Sequence, residues 1–163
     1  MGMNIVVLSD THLTHVTQEL QDLCARYCDG ADLVVHLGDW TAGCVLDYFE
    51  QYRLEAVCGN TDETAVRLRL PTKKTFRVGS YQIALTHGWG YGNYASDIKT
   101  HLLEVFDTAH VILFGHTHRP LLEKVNGRLL LNPGSVFSPR SSQGRTLAFL
   151  RVGTSLHAEI IQL

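Results

Sequence analysis

Asn4-Ile-Val-Val-Leu-Ser-Asp-Thr-His12 is an apolar run that ends in a carboxylate and an imidazole, and its form recurs along the chain. Asn4–Ser9 reads as a strand buried on both faces, because a continuous apolar stretch leaves no side for water. Leu33-Val-Val-His-Leu37 is a second such run, followed by Gly38-Asp39. Leu54-Glu-Ala-Val-Cys58 is a third, followed by Gly59-Asn60. Between them Leu20, Leu23, Cys24, Tyr27 and Cys28 recur at three- and four-residue spacing, which predicts an amphipathic helix ending near Gly30. Val45, Leu46, Phe49 and Tyr52 predict another. This β-α-β-α-β alternation implies a parallel sheet with helices on its faces.

The pattern changes after Pro71. Thr75–Val78 and Tyr81–Thr86 flank Gly79-Ser80, a two-residue hairpin signal. A helical stretch from about Ser96 to Phe106 precedes the strand Val111–Phe114. Two strand pairs follow, Leu121–Val125 with Arg128–Leu131 around Asn126-Gly127, and Arg145–Val152 with Leu156–Ile161 around Gly153. The second half is therefore expected to be mostly antiparallel strands with one helix. Two sheets packed face to face, with helices outside, would use every element in one domain spanning residues 1–163. The 163 residues match the ~100–200 typical of a domain.

Composition narrows the function. Hydrophobic residues at 45% and charged residues at 18% describe a globular chain. A net charge of -2 argues against a binder of long nucleic acid driven by bulk positive charge, but not against chemistry on phosphate compounds. No apolar run approaches the ~20 residues that span a bilayer, and the opening residues lack a secretory pattern, so a cytoplasmic location is expected. Cys24, Cys28, Cys44 and Cys58 form no C-x-x-C pair, and the helical spacing of Cys24 and Cys28 suits buried small side chains.

Five segments at strand ends carry metal-type donors: Asp10-Thr-His12, Gly38-Asp39, Gly59-Asn60, His87-Gly88 and Gly115-His-Thr-His118. In open α/β sheets the carboxyl ends of strands gather along one edge, which brings distant residues to one place. Residues two apart in extended backbone point the same way, so Asp-x-His and His-x-His can each send both side chains to one centre. The donors are three oxygens, from Asp10, Asp39 and Asn60, and four imidazoles, from His12, His87, His116 and His118. Seven exceed one tetrahedral zinc site and suit two metals ~3.5–4 Å apart with a shared carboxylate. A mixed oxygen and imidazole set without thiolate favours Mn²⁺, with Ni²⁺, Zn²⁺ or Fe as other candidates, over Ca²⁺ or Mg²⁺.

The set D-x-H, G-D, G-N, H and G-H-x-H resembles the calcineurin-like metallophosphoesterase superfamily. The short chain and the segment Leu131-Asn-Pro-Gly-Ser135 … Pro139-Arg140 are similar to its small bacterial and archaeal phosphodiesterases, from Met3 to the final strands. The resemblance implies a four-layer α/β/β/α sandwich of two mixed sheets. It implies Asp10, His12, Asp39 and His118 at one metal, and Asp39, Asn60, His87 and His116 at the other, with Asp39 as bridge. It further implies hydrolysis of phosphodiesters by a hydroxide between the metals, with Asp39, Asn60 and Asp62 among the catalytic groups and Asp62 in an orienting role. Many larger members carry a His after the metal-ligand Asn, thought to protonate the departing oxygen; here that residue is Thr61.

Outside this set, Trp89-Gly-Tyr91-Gly-Asn-Tyr94 follows His87 and can either cover a site or fold its rings onto the core. Trp89, Tyr91 and Arg119 are candidate substrate contacts, and Arg140 is a second candidate for phosphate oxygens. His36 reads as a hydrogen-bonded core residue or as support for a ligand. His15 reads as a solvated loop residue near the first motif, His101, His110 and His157 as structural, and Ala-Val-Arg67-Leu-Arg69 as a solvated face. The partners expected are a small phosphate ester and, for the chain itself, a homo-oligomer, with no membrane and nucleic acid disfavoured. The competing functions are a phosphomonoesterase or nucleotidase, and a protein-interaction scaffold such as the superfamily's retromer subunit, whose metal site is degraded. Every histidine position of the motif is His here, which speaks against the scaffold.

Overall fold

The computed structural model describes residues 2–92 and 94–163. Its elements are β1 (Met3–Leu8), α1 (Gln18–Tyr27), β2 (Leu33–His36), α2 (Gly43–Phe49), β3 (Leu54–Ala56), α3 (Thr64–Arg67), β4 (Lys73–Val78) and β5 (Tyr81–Thr86). They continue with α4 (Ala95–Val105), β6 (Val111–Phe114), β7 (Leu121–Val125), β8 (Arg128–Asn132), β9 (Thr146–Val152) and β10 (Leu156–Gln162). Two five-stranded sheets result, ordered β10-β9-β1-β2-β3 and β4-β5-β6-β8-β7. Both are mixed.

Period-two alternation sorts every central strand between two cores. Ile5, Val7, Leu33 and Val35 of the first sheet face Ile83, Leu85, Val111 and Leu113 of the second and form the layer between the sheets. Their neighbours Val6, Leu8 and Val34 point outward against Leu20, Leu23 and Cys24 of α1 and Val45, Leu46 and Phe49 of α2. On the far side Ala84, Ile112 and Leu130 pack against Ile98 and Leu102 of α4. Three apolar layers between four layers of structure make the α/β/β/α sandwich. Thr17 caps α1, its side chain accepting from the Leu20 amide at 3.1 Å.

Most strand pairings of the second half are antiparallel, as expected, but the centre of the second sheet departs from that pattern. The centre of the second sheet, β5-β6-β8, is parallel, and only its edge strands β4 and β7 run antiparallel. The α4 crossover returns the chain in the same direction, which an apolar run alone does not reveal. The last hairpin leaves that sheet and pairs β9 antiparallel with β1 (Met3↔Val152). The short α3 was not anticipated, because four residues carry too little periodicity to register.

The strand ends touch so closely that some positions exclude a side chain. A Cβ on Gly115 would stand 2.0 Å from Ser9 Oγ and 2.8 Å from Asp10 Oδ2, and one on Gly59 would stand 2.2 Å from Asp39 Oδ1. Gly115→Ala is expected to cost ~1–3 kcal/mol, the usual range for overpacking. For a domain of this size that lowers Tm by roughly 2–4 °C per kcal/mol, read by calorimetry against wild type. An unchanged Tm would show that the loops separate freely.

Candidate metal centre

Asp10, Asp39, Asn60, His87 and His116 all follow strand segments of the two sheets, on the edge where the parallel strands end. The loops continue the ladders of those strands: the Asp10 amide donates to Gly38 O at 3.0 Å, His12 to Asp39 O at 3.0 Å, and Gly115 to His87 O at 3.0 Å. Seven non-glycine residues among those described have positive φ, and five are Asp10 (54°), His12 (50°), Asp39 (57°), His116 (68°) and His118 (56°). A sixth is Thr41 at 79°, sterically costly for a β-branched residue. Such strain persists only where surrounding structure over-determines it.

The sources of that constraint are visible. Asp10 Oδ2 accepts from Ser9 Oγ at 2.6 Å and from the His116 amide at 3.0 Å. Asp39 Oδ1 accepts from the Thr61 amide at 2.9 Å. Asp62 is buried and aims both oxygens at backbone: Oδ1 accepts from Thr41 N at 2.8 Å, and Oδ2 from Gly59 N at 2.7 Å and Asp39 N at 3.2 Å. It staples the Asp39 loop to the Asn60 loop. Burial pushes its carboxyl up, against the Gly59 and Thr41 amides that pull it down.

The remaining atoms converge. Asp10 Oδ1, His12 Nε2, Asp39 Oδ2 and His118 Nε2 lie within 4.8 Å of one another. Asp39 Oδ2 is 3.5 Å from His12 Nε2 on one side and 3.3 Å from His87 Nε2 on the other. His87 Nε2 is 3.1 Å from Asn60 Oδ1, and the His87 and His116 rings are 5.1 Å apart. His87 Nδ1 must donate to Leu37 O at 2.8 Å and His118 Nδ1 to Ser138 O at 2.5 Å, since a carbonyl only accepts. In the neutral ring this leaves each Nε2 a lone pair, facing carboxylate and amide oxygens. Asp10 Oδ1 is buried and reached by no hydrogen-bond donor.

Acceptors facing acceptors require positive charge between them. Protons supply part of it. Burial would push His87 and His118 down, but the hydrogen bond and charge of Asp39 with the charge of Asp10 lift His87, and Asp10 lifts His118. Burial would push Asp10 and Asp39 up, yet His118 and His12 around the first, and His87 beside the second, hold both carboxyls below the ordinary range. Burial and the neighbouring His87 lower His116. A divalent cation engages several of these lone pairs at once, so the donor set fits metal.

Residues 3–155 match the calcineurin-like phosphoesterase superfamily domain. The chain belongs to that superfamily. A probable metallophosphoesterase of Methanothermobacter thermautotrophicus is 32% identical over 162 residues, covering 98% of this chain and 92% of its own. A phosphodiesterase of Methanocaldococcus jannaschii is 25% identical over 145 residues, covering 81% of this chain and 83% of its own. Among solved structures, Vps29 of Chaetomium thermophilum has a TM-score of 0.76 at 16% identity over 99% of this chain and 97% of its own, a likeness of fold alone.

Other sequence candidates fall elsewhere. Trp89 and Tyr91 line a pocket of about 190 Å³ beside His87, with Trp89 55% exposed and Tyr91 stacked on His101 at 4.9 Å. Asn93 of that loop lies outside the described residues. Arg119 lines a separate groove that His116 shares. His15 is exposed, touching Thr14 Oγ1 at 3.3 Å, and His110 accepts from the Gln82 amide at 3.0 Å. Arg67 is not merely a solvated face: its guanidinium donates to Asp62 O at 2.7 Å and Asn60 O at 2.5 Å, holding the loop that bears Asn60. Sequence reasoning also left unassigned Asn132, which donates to Gly115 O at 2.8 Å, and Ser135, which donates to Asp10 O at 2.7 Å. Both sit in the Leu131–Ser135 segment, whose resemblance marked it without giving it a task.

His36 serves both expected purposes. It is buried, stacks on Trp40 at 3.5 Å, and its Nδ1 accepts from the Gly38 amide at 3.2 Å, which fixes the turn before Asp39. Burial lowers its pKa from 6.5 to about 3. Between those values the unfolded chain binds a proton that the folded chain refuses, so the contribution of His36 is present above pH ~6.5 and is lost as pH falls toward ~3. The stability difference between metal-free wild type and His36→Gln, measured by urea unfolding, should therefore shift steadily against the wild type over that window. A difference independent of pH would show that the imidazole is not held neutral.

Proposed function

We propose that the protein is a dinuclear metal-dependent phosphodiesterase acting on small phosphate esters. The observation that carries this reading is Asp39 Oδ2, set 3.5 Å from His12 Nε2 and 3.3 Å from His87 Nε2, so that one carboxylate oxygen faces both halves of the donor set. Asp10, His12, Asp39 and His118 would hold one cation, and Asp39, Asn60, His87 and His116 the other, with Mn²⁺ the best match to oxygen and imidazole donors. When bound, such a pair supplies charge neutralisation for phosphate oxygens and activation of water. The phosphodiesterase name of the Methanocaldococcus jannaschii relative supports the choice of diesters. The filled histidine set favours an enzyme over an interaction scaffold. The four free thiols fit a reducing compartment such as the cytoplasm, and no helix among the described residues is long and apolar enough to cross a membrane.

The chain's own residues divide the remaining work. Asp62 positions Asp39 through backbone, and His36 fixes the Gly38 turn. Trp89 and Tyr91 contact one side of the substrate beside His87, and Arg119 the other beside His116. Replacing Asp39 by Ala is expected to remove both metal equivalents, because two cations deprived of their shared carboxylate repel each other. His118→Ala should weaken one. Elemental analysis of the purified variants distinguishes the cases, and a single equivalent retained by Asp39→Ala would end the bridging assignment.

Thr61 sets the choice of leaving group. Its hydroxyl is 3.4 Å from His12 Nδ1, in the place next to Asn60 where a general acid would stand. A Thr hydroxyl is not an acid near neutral pH, whereas a His with pKa ~6.5 is. General acid help is typically worth ~10²–10⁴-fold. Activated aryl diesters should therefore be cleaved far faster than alkyl diesters, with a modest gain on poor leaving groups from Thr61→His. A shallow dependence of kcat/KM on leaving-group pKa would overturn this and direct attention to His15.

A further inference from the structure

The groove that shares His116 with the candidate metal centre encloses about 480 Å³, within the range of sites that hold whole organic molecules. Ile98 of α4 with Phe114, Pro120 and Leu121 make its apolar wall, and Arg119 and Arg140 make a basic one. Arg119 Nε donates to Arg140 O at 3.0 Å, which anchors the guanidinium and leaves its two Nη groups without a protein acceptor among the described residues. The Arg140 amide donates to His118 O at 3.1 Å, tying this wall to the metal-donor loop. Lys99, a third cation of the groove, is paired with Glu123. Neither arginine has a carboxylate partner, and no acidic residue lines the groove, among the described residues.

A phosphate seated at the metal centre is already matched by the cations there. Two uncompensated guanidinium groups beside an apolar wall serve another part of the substrate. Resting on the phosphodiesterase reading, we propose that the groove binds one ester arm of the substrate, and that this arm is an organic group bearing a second phosphate. Apolar residues cover the organic body, and the arginines grip the terminal phosphate by paired N–H···O bonds, a geometry that lysine cannot reproduce. The substrate class is therefore a phosphodiester with a further phosphate on its retained arm, as in a phosphorylated nucleotide ester.

Two probes test this, thymidine 5′-(p-nitrophenyl phosphate) with and without a 3′-phosphate, which share leaving group and chemistry. The 3′-phosphorylated probe should show a kcat/KM about tenfold or more higher, carried by KM, and in the double variant Arg119→Met with Arg140→Met the ratio should fall to about one. Equal rates for the two probes in wild type, or a ratio that survives in the double variant, overturn the proposal. If neither probe is hydrolysed, the phosphodiesterase reading has failed, and binding still decides the groove. Calorimetry on the same preparation should then give a tighter Kd for thymidine 3′,5′-bisphosphate than for thymidine 5′-phosphate, with the advantage lost in the double variant. Equal affinities reject the groove as a phosphate site.

Discussion

Acceptors crowd the centre of this molecule, and only positive charge, from protons or a cation, reconciles them. Asp10 Oδ1 and Asp39 Oδ2 stand opposite imidazole nitrogens whose other ring N–H groups are bound to carbonyls at Leu37 and Ser138. A protein alone does not adopt such an arrangement at no cost, because a buried acceptor without a donor, as Asp10 Oδ1 is, loses its water and gains nothing. The surrounding structure reads as the means of holding it. Two sheets end at one edge, glycines let the loops touch, and backbone amides fix the carboxylate oxygens that do not face the centre.

The three buried carboxylates show how environment divides identical chemistry. Asp10 and Asp39 each give one oxygen to backbone or hydroxyl donors and keep one for the centre. Asp62 gives both to backbone amides and keeps none. The first two leave an oxygen that could meet a cation, and the third holds the loops. Mutation to Asn would separate these roles, since an amide nitrogen set against an N–H donor repels it.

Much of this was legible in the sequence for a physical reason. A strand buried on both faces must be continuously apolar, so β1, β2 and β6 announce themselves, and a polar donor directly after each run marks the edge where ligands gather. The same continuity hides strand direction. Val111–Phe114 is equally apolar read against a parallel or an antiparallel neighbour, and only the α4 crossover decides. The supporting residues were harder still. Arg67 acts on carbonyls of residues that bear no side-chain signal for it, and Ser135 reaches Asp10 O from the far end of the chain. Spacing patterns record periodicity within an element, and these contacts have none.

The pairing of β1 also bears on how the protein is made. β1 lies between β2 and β9, and its register Met3↔Val152 joins the earliest strand of this sheet to one that follows every other strand of the sheet except β10. During translation β1 therefore waits with one edge unpaired while β2 through β8 emerge, an open edge of the kind that invites pairing with other chains. Ser135, which anchors Asp10, arrives in the same late stretch. Asp10 and His12 thus precede the segment that orders them, and long-range closure of this type slows folding.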